Sequence, residues 1–303
     1  MNTAESAFRE EDADRLMGFD TAGELFMEDG KILRGIYPEY ETLYKDILKI
    51  CEEYRLFAQG IVNTREYNGI IEYHKNFHLI FEHERIPFIT YPHEWPASML
   101  KDAAVFHLNL FILLERYGLT LKDWHPWNIL FKDTNPVFVD FLSIIPGQSL
   151  EKVDYLTPPR SPLFFGSFWD TPTKYLFEMY RRMYVPYFLH PLHMMAQKKY
   201  KKARSLMLKT TLNASTKVIR PRDVFGFNVV GRLLYGERET AKKIVLMQKY
   251  PGKQKFLEDL NSELNDLDVK AIESPYVKYY ELKKENFDFT HSSGWTNKQV
   301  AVH

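Results

Sequence analysis

A single cysteine, Cys51, stands among the 303 residues, which excludes an internal disulfide and any metal site built from several thiolates. Its place in an apolar helical pattern reads as packing. Net charge is missing as well: 40 Lys and Arg balance 40 Asp and Glu, so no broad field draws the chain to nucleic acid or to an anionic membrane. Long apolar runs are scarce. The longest, Ala103 to Leu114, is interrupted by His107 and Asn109 and falls short of the ~20 residues a membrane span needs, so no span is expected. The leader MNTAESAFREEDADRLMG carries acids and no apolar centre, unlike a secretion signal, and the expected location is the cytoplasm. No segment repeats at a fixed period.

What the chain does have is apolar and aromatic mass. Hydrophobic residues make up 45% and aromatics 15%, which supports a sizeable core rather than disorder. GELFMEDGKILRGIY reads as two strands around the turn Glu28-Asp29-Gly30, because Asp-Gly between apolar residues favours a hairpin. PEYETLYKDILKICEEYRLFAQG then carries apolar residues at helical spacing from Pro38 to Gly60. Residues 68–95 return to β-rich composition and end at a Pro-marked crossover. PASMLKDAAVFHLNLFILLERYGL is the clearest helix, with Pro96 in its first turn and Gly118 as its stop. Loop, strand, turn and strand follow in LKDWHPWNILFKDTNPVFVDFLSI, with the turn at Lys132 to Pro136, and beyond Pro146 the chain reads as mainly helical.

Within LKDWHPWNILF, residues 121–131, Asp123 precedes Asn128 by five positions, and Asp140 closes the apolar strand PVFVD seventeen positions after Asp123. Phosphoryl transfer asks for a carboxylate near the acceptor hydroxyl and oxygen ligands for magnesium on the nucleotide phosphates. The spacing and element order therefore suggest an α+β, two-lobed protein kinase-like fold, with a small β-rich N-lobe and a larger, mainly helical C-lobe. The loop is similar to that of small-molecule kinases, which often read HGDLHPGNIL followed by IDFG. That resemblance implies Asp123 as catalytic base, Asn128 and Asp140 as metal ligands, and magnesium and ATP as cofactors. Each residue also has a bland reading: Asp123 as a turn acid, Asn128 as a turn residue, Asp140 as a solvated strand end, and Trp124 and Trp127 as packing.

Two parts depart from the kinase pattern. The hairpin offers only Gly23, Gly30 and Gly35 for approach to phosphates, and Phe141-Leu142-Ser143 stands where Phe-Gly is usual after the metal acid. With no V-A-I-K-like lysine, Arg34 is the candidate for the phosphates, with Glu39 or Glu41 as its partner. Glu94 and Trp95 fall where a hinge would meet an adenine through its backbone. The pairs His74 with His78 and His190 with His193 lack a third metal ligand, and KKYKKAR, 198–204, reads as a solvated helix face.

A further resemblance covers about residues 80–146. PFITYPHEW, MLKDAAV, LKDWHPWN and PVFVDFLSI are similar to PFISYPYEW, MLKDAAL, LKDASPYN and PVFIDLGSF, which recur in the N-terminal region of bacterial proteins identified as class I SAM-dependent methyltransferases. That resemblance implies a methyltransferase domain as a C-terminal partner, and SAM as a cofactor only with such a domain, since no strand followed by a G-x-G turn and a ribose-binding acid occurs here. The expected division is residues 1–92 as N-lobe, 93–285 as helical C-lobe and 286–303 as a linker or tail. Two functions remain open: a phosphotransferase acting on a small-molecule or sugar hydroxyl, or a non-catalytic accessory module of a methyltransferase.

Overall fold

The computed structural model describes residues 14–16, 22–69, 77–147, 176, 179–214 and 253–269. All belong to one compact unit, Met1–Val269; the second unit, Lys270–His303, lies outside the described residues. His74, the stretch RDVFGFNVVGRLLYGERETAKKIVLMQKY and the expected tail from 286 onward lie outside them too.

The fold is α+β. Strands β1 (Asp14–Leu16), β2 (Gly23–Glu28), β3 (Lys31–Ile36), β4 (Thr64–Glu66) and β5 (Leu79–His83) form an antiparallel sheet of order β1-β2-β3-β5-β4. The β2–β3 turn needs left-handed backbone at both central residues, and Asp29 (φ 47°) and Gly30 (φ 73°) supply it. The sheet starts one strand earlier than the composition suggested, since β1 pairs with β2 from within the polar leader. Gly23 and Gly35 serve packing: a Cβ on the first would strike the Gly35 carbonyl, and one on the second the Phe77 ring.

Alternation along β3 divides its side chains between two faces. Leu33 joins Phe26 and Ile80 in a small outer cluster under Tyr67 and Phe77, while Ile36 enters the main core. Helix α1 (Glu41–Glu53) follows β3 and buries Tyr44, Ile47, Leu48 and Cys51, spaced three, one and three residues apart on one helical stripe. It is shorter than the expected Pro38–Gly60 helix, because Arg55 takes φ 54° and turns the chain into a separate short helix, Leu56–Gln59.

Helix α2 (Ala97–Glu115) buries nine residues, from Ala97 to Leu114, in the main core. Among the described residues it is the one helix long and apolar enough to cross a membrane; half of that stretch is buried by the rest of the chain, as in a core helix. After α2, Gly118 (φ 71°) admits β6 (Leu119–Leu121), which pairs with β9 (Ile144–Pro146). Between them lies the hairpin of β7 (Ile129–Lys132) and β8 (Asn135–Phe138), with Lys132 opposite Asn135. Its turn is therefore the two residues Asp133 and Thr134, tighter than expected, with Asp133 at φ 56° and Pro136 taken into the strand.

A π-helix, Tyr180–Leu189, contains Pro186, which lacks a backbone donor. It leads into α3 (His190–Ala196) and α4 (Tyr200–Ala214). Helix α5 (Lys253–Asp266) lays Phe256, Leu257, Leu260 and Leu264 into the core. One continuous apolar cluster runs from Ile36 in the sheet to Leu264 in α5.

Candidate active site

Two short ladders set the geometry. The β6–β9 pairing brings the chain just after Leu121 beside the chain just before Ile144, and Lys122 N–H donates to the Ser143 carbonyl at 2.9 Å. The β7–β8 hairpin closes the other end, where Val139 N–H donates to the Asn128 carbonyl at 2.9 Å. Asp123, Asn128 and Asp140, far apart in sequence, are thereby confined to one small volume.

They meet at one atom. The Ser143 hydroxyl oxygen lies 2.6 Å from Asp140 Oδ2 and 2.9 Å from Asp123 Oδ2, and Asn128 Nδ2 approaches it at 3.4 Å as donor. A serine carries a single hydroxyl proton, so it donates to one carboxylate at a time, and the shorter contact marks Asp140. Two carboxylates and one amide thus converge on a single hydroxyl.

Arg34 reaches this cluster from β3. It is buried, and its guanidinium lies 3.5 Å from Asp140 Oδ1. The ion pair formed is thus with the acid of the loop; Glu41, at the start of α1, keeps its Oε1 buried and without a hydrogen-bond partner. Phe141, directly after Asp140, is fully buried against Phe81 (5.6 Å, edge-on), His83 (6.2 Å), Phe57 (6.4 Å) and Tyr44 (6.5 Å). The Tyr44 hydroxyl donates to the Leu142 carbonyl at 2.8 Å, so α1 and the sheet together fix the backbone that carries Asp140 and Ser143.

His107 holds the other acid. From α2 its Nε2 donates to the Asp123 carbonyl at 3.2 Å, while the ring is enclosed by Trp124, Phe138, Tyr184 and Phe188. Burial in that aromatic cage lowers its pKa to about 3, against the helping hydrogen bond, and keeps the ring neutral. His83, bonded to Thr64 Oγ1 at 2.9 Å, is likewise pushed down to about 3 by burial and by the neighbouring Arg34. Cys51 is buried and its thiol is raised to about 12, which leaves it unreactive.

The aromatic residues of the loop divide in role. Trp124 is core, edge-on to Phe111 at 4.5 Å. His125 and Trp127 remain half-buried and form a triangle with Tyr187 of the π-helix, at centroid separations of 4.9 to 6.2 Å. Glu94 and Trp95 lie apart from these acids in their contacts. Glu94 Oε2 accepts from Tyr91 N–H, Trp95 is buried edge-on to Phe131 with its indole donating to Thr90, and the amides of both residues are spent inside the Pro92–Glu94 turn. Only their carbonyls are left to meet a base.

Asp140 and Asn128 offer hard oxygen donors in small number. That suits magnesium, which keeps waters and takes phosphate oxygens, better than an ion caged by protein. Among the described residues no group of three or more His, Cys, Asp or Glu gathers as a metal cage, and His193 instead pairs with Glu263 at 3.4 Å. A cleft of about 630 Å³ opens elsewhere, on α2, lined by Lys101, Asp102, Asn109, Arg116, Pro136 and Asn265 among others, and shares no residue with the acid cluster.

Sequence reasoning singled out Asp123, Asn128, Asp140 and Arg34, and these four come together. It missed Ser143 and His107. Ser143 appeared only as the residue after Leu142, which replaces the usual glycine, and His107 only as an interruption in an apolar run; a histidine in the middle of an otherwise apolar helix was the available signal.

No family model matches the chain. Over 134 residues it is 31% identical to nodulation protein NoeA of Rhizobium meliloti (strain 1021), an alignment that covers 42% of this chain and 27% of NoeA. The match thus takes in little more than a quarter of that relative's length.

Proposed function

We propose that this chain is a kinase-like phosphotransferase or nucleotide-binding domain that uses a magnesium nucleotide and acts on the hydroxyl of a small molecule or sugar. The observation that carries this reading is the meeting of Asp123, Asn128 and Asp140 at Ser143, with Arg34 on the far oxygen of Asp140. The element order supports a two-lobed fold with residues 1–92 as the smaller lobe: a five-stranded sheet with α1 between β3 and β4, a Pro-marked crossover, then α2, β6, the polar loop, the β7–β8 hairpin, the second acid and β9.

In this reaction Asp123 accepts the proton of the substrate hydroxyl as that oxygen forms its bond to the γ-phosphorus. The bond from that phosphorus to the bridging oxygen breaks, and the nucleoside diphosphate leaves. The Ser143 oxygen stands 2.9 Å from Asp123 Oδ2, a separation of the kind a general base needs, and this supports the role. Asn128 and Asp140 are the residues that would hold magnesium, whose charge offsets that of the phosphates. Arg34, beside Asp140, would supply fixed positive charge toward the phosphates. The β2–β3 hairpin adds no glycine-rich cradle, because its turn is two residues long and Gly23 and Gly35 are committed to packing.

The test is nucleotide turnover with magnesium against a panel of sugars and small alcohols. Wild type should consume ATP, and Asp123→Ala should lose at least a hundredfold in rate with its fold intact. Absence of nucleotide binding at millimolar ATP would remove this reading. The resemblance of residues 80–146 to the N-terminal region of class I SAM-dependent methyltransferases supports a second reading, in which the chain is an accessory module working with a methyltransferase domain as partner. Binding of a separately prepared methyltransferase domain, with no ATP turnover, would support it.

A further inference from the structure

Ser143 is fully buried, yet its hydroxyl touches every polar side chain of the loop to which the proposed reaction assigns a task. A buried hydroxyl needs one good partner, and here three converge on it. The backbone at this position is doubly fixed as well. Ser143 C=O accepts from Lys122 N–H at 2.9 Å, and Ser143 N–H donates to the Asp140 carbonyl at 3.0 Å. The side chain is thus a fixed post, set by the end of the β6–β9 ladder, against which the two acids and the amide are aligned.

We infer that Ser143 is a positioning residue, resting on the reaction proposed above: its hydroxyl sets where the Asp140 carboxylate and the Asn128 amide stand to receive the divalent cation. Magnesium demands near-ideal octahedral geometry, so ligands that drift lose it readily. Without the hydroxyl, Asp140 keeps Arg34 at 3.5 Å on its other oxygen but loses the donor on Oδ2, and nothing of Ser143 remains between the two carboxylates. Groups that support metal ligands in this way are worth roughly 10- to 100-fold in metal affinity.

The test follows Mn²⁺, a spectroscopic stand-in for magnesium, by electron paramagnetic resonance on the whole chain with ADP present. Wild type, Ser143→Ala and Ser143→Thr are compared, and thermal melting establishes that each is folded. Ser143→Ala should bind Mn²⁺ roughly 10- to 100-fold more weakly, and Ser143→Thr, which keeps the hydroxyl, should stay within about threefold of wild type. Equal Mn²⁺ binding by wild type and folded Ser143→Ala would overturn the role of Ser143 while leaving the proposed reaction standing. No Mn²⁺ uptake by wild type, with or without ADP, would overturn both.

Discussion

Replacing His107 with Gln should flatten the acid sensitivity of this protein by an amount that the structure fixes. His107 is neutral in the fold because its aromatic cage depresses its pKa from 6.5 to about 3. In the unfolded chain the ring takes up a proton as pH falls through 6.5, so the unfolded state binds more protons and stability declines on acidification. The decline begins near pH 6.5, runs at about 1.36 kcal/mol per pH unit and ends near pH 3. At pH 5 it amounts to about 2 kcal/mol, and His83, lowered likewise to about 3, adds a similar loss. Urea unfolding followed by tryptophan fluorescence at pH 7 and pH 5 would measure both. Wild type should lose about 4 kcal/mol between those pH values from this pair, and His107→Gln about 2 kcal/mol less than wild type. Equal losses in the two proteins would refute the assignment of His107 as a buried neutral group. Gln is chosen because its amide still carries a donor for the Asp123 carbonyl, so the comparison isolates titration from loss of the hydrogen bond.

Other outcomes follow from single contacts. Phe141→Ala should destabilise the fold by about 3 to 5 kcal/mol, read by denaturant unfolding, and should lower the proposed phosphotransfer in protein that remains folded, because the ring seats Asp140. Gly23→Ala should cost at least 1 to 3 kcal/mol by the same measurement, since the new methyl group meets the Gly35 carbonyl, which cannot move without disturbing the ladder. Trp95→Phe should cost about 1 kcal/mol through the lost bond to Thr90 and, since the expected hinge contact is through backbone, leave the KM for ATP unchanged; a large rise in KM would refute that.

Much of the fold was legible because local signals and tertiary structure agree. The Asp29-Gly30 turn, the stripe of α1 and the Gly118 stop each need a residue type that their backbone or packing demands. The loop residues Asp123, Asn128 and Asp140 were singled out by their spacing together with the helix before them, the strand after them and the resemblance to small-molecule kinases. Less visible were features set by distant partners. Nothing near Arg55 foretells that its left-handed backbone ends α1 early, and β1 is a strand only because β2 offers it an edge. Ser143 could not be ranked from sequence, because its significance lies in contacts to residues 3, 15 and 20 positions away that fall on one atom only when β6 and β9 pair. Arg34 was picked as a cation, yet its alliance with Asp140 depends on β3 facing inward at that residue.

The pinning of residues 122–143 between two ladders also governs where this chain tolerates added length. At one end, Leu121 faces Ile144, and a single residue inserted between that pair and the acids would shift Ser143 out of the place that sets its hydroxyl against them. At the other end, Lys132 to Asn135 are exposed and the Asp133-Thr134 turn touches none of the four polar residues of the site. A short peptide tag or a fluorescent reporter grafted at that tip would leave the spacing of the acids undisturbed, which makes the hairpin a natural handle on an otherwise indel-intolerant segment.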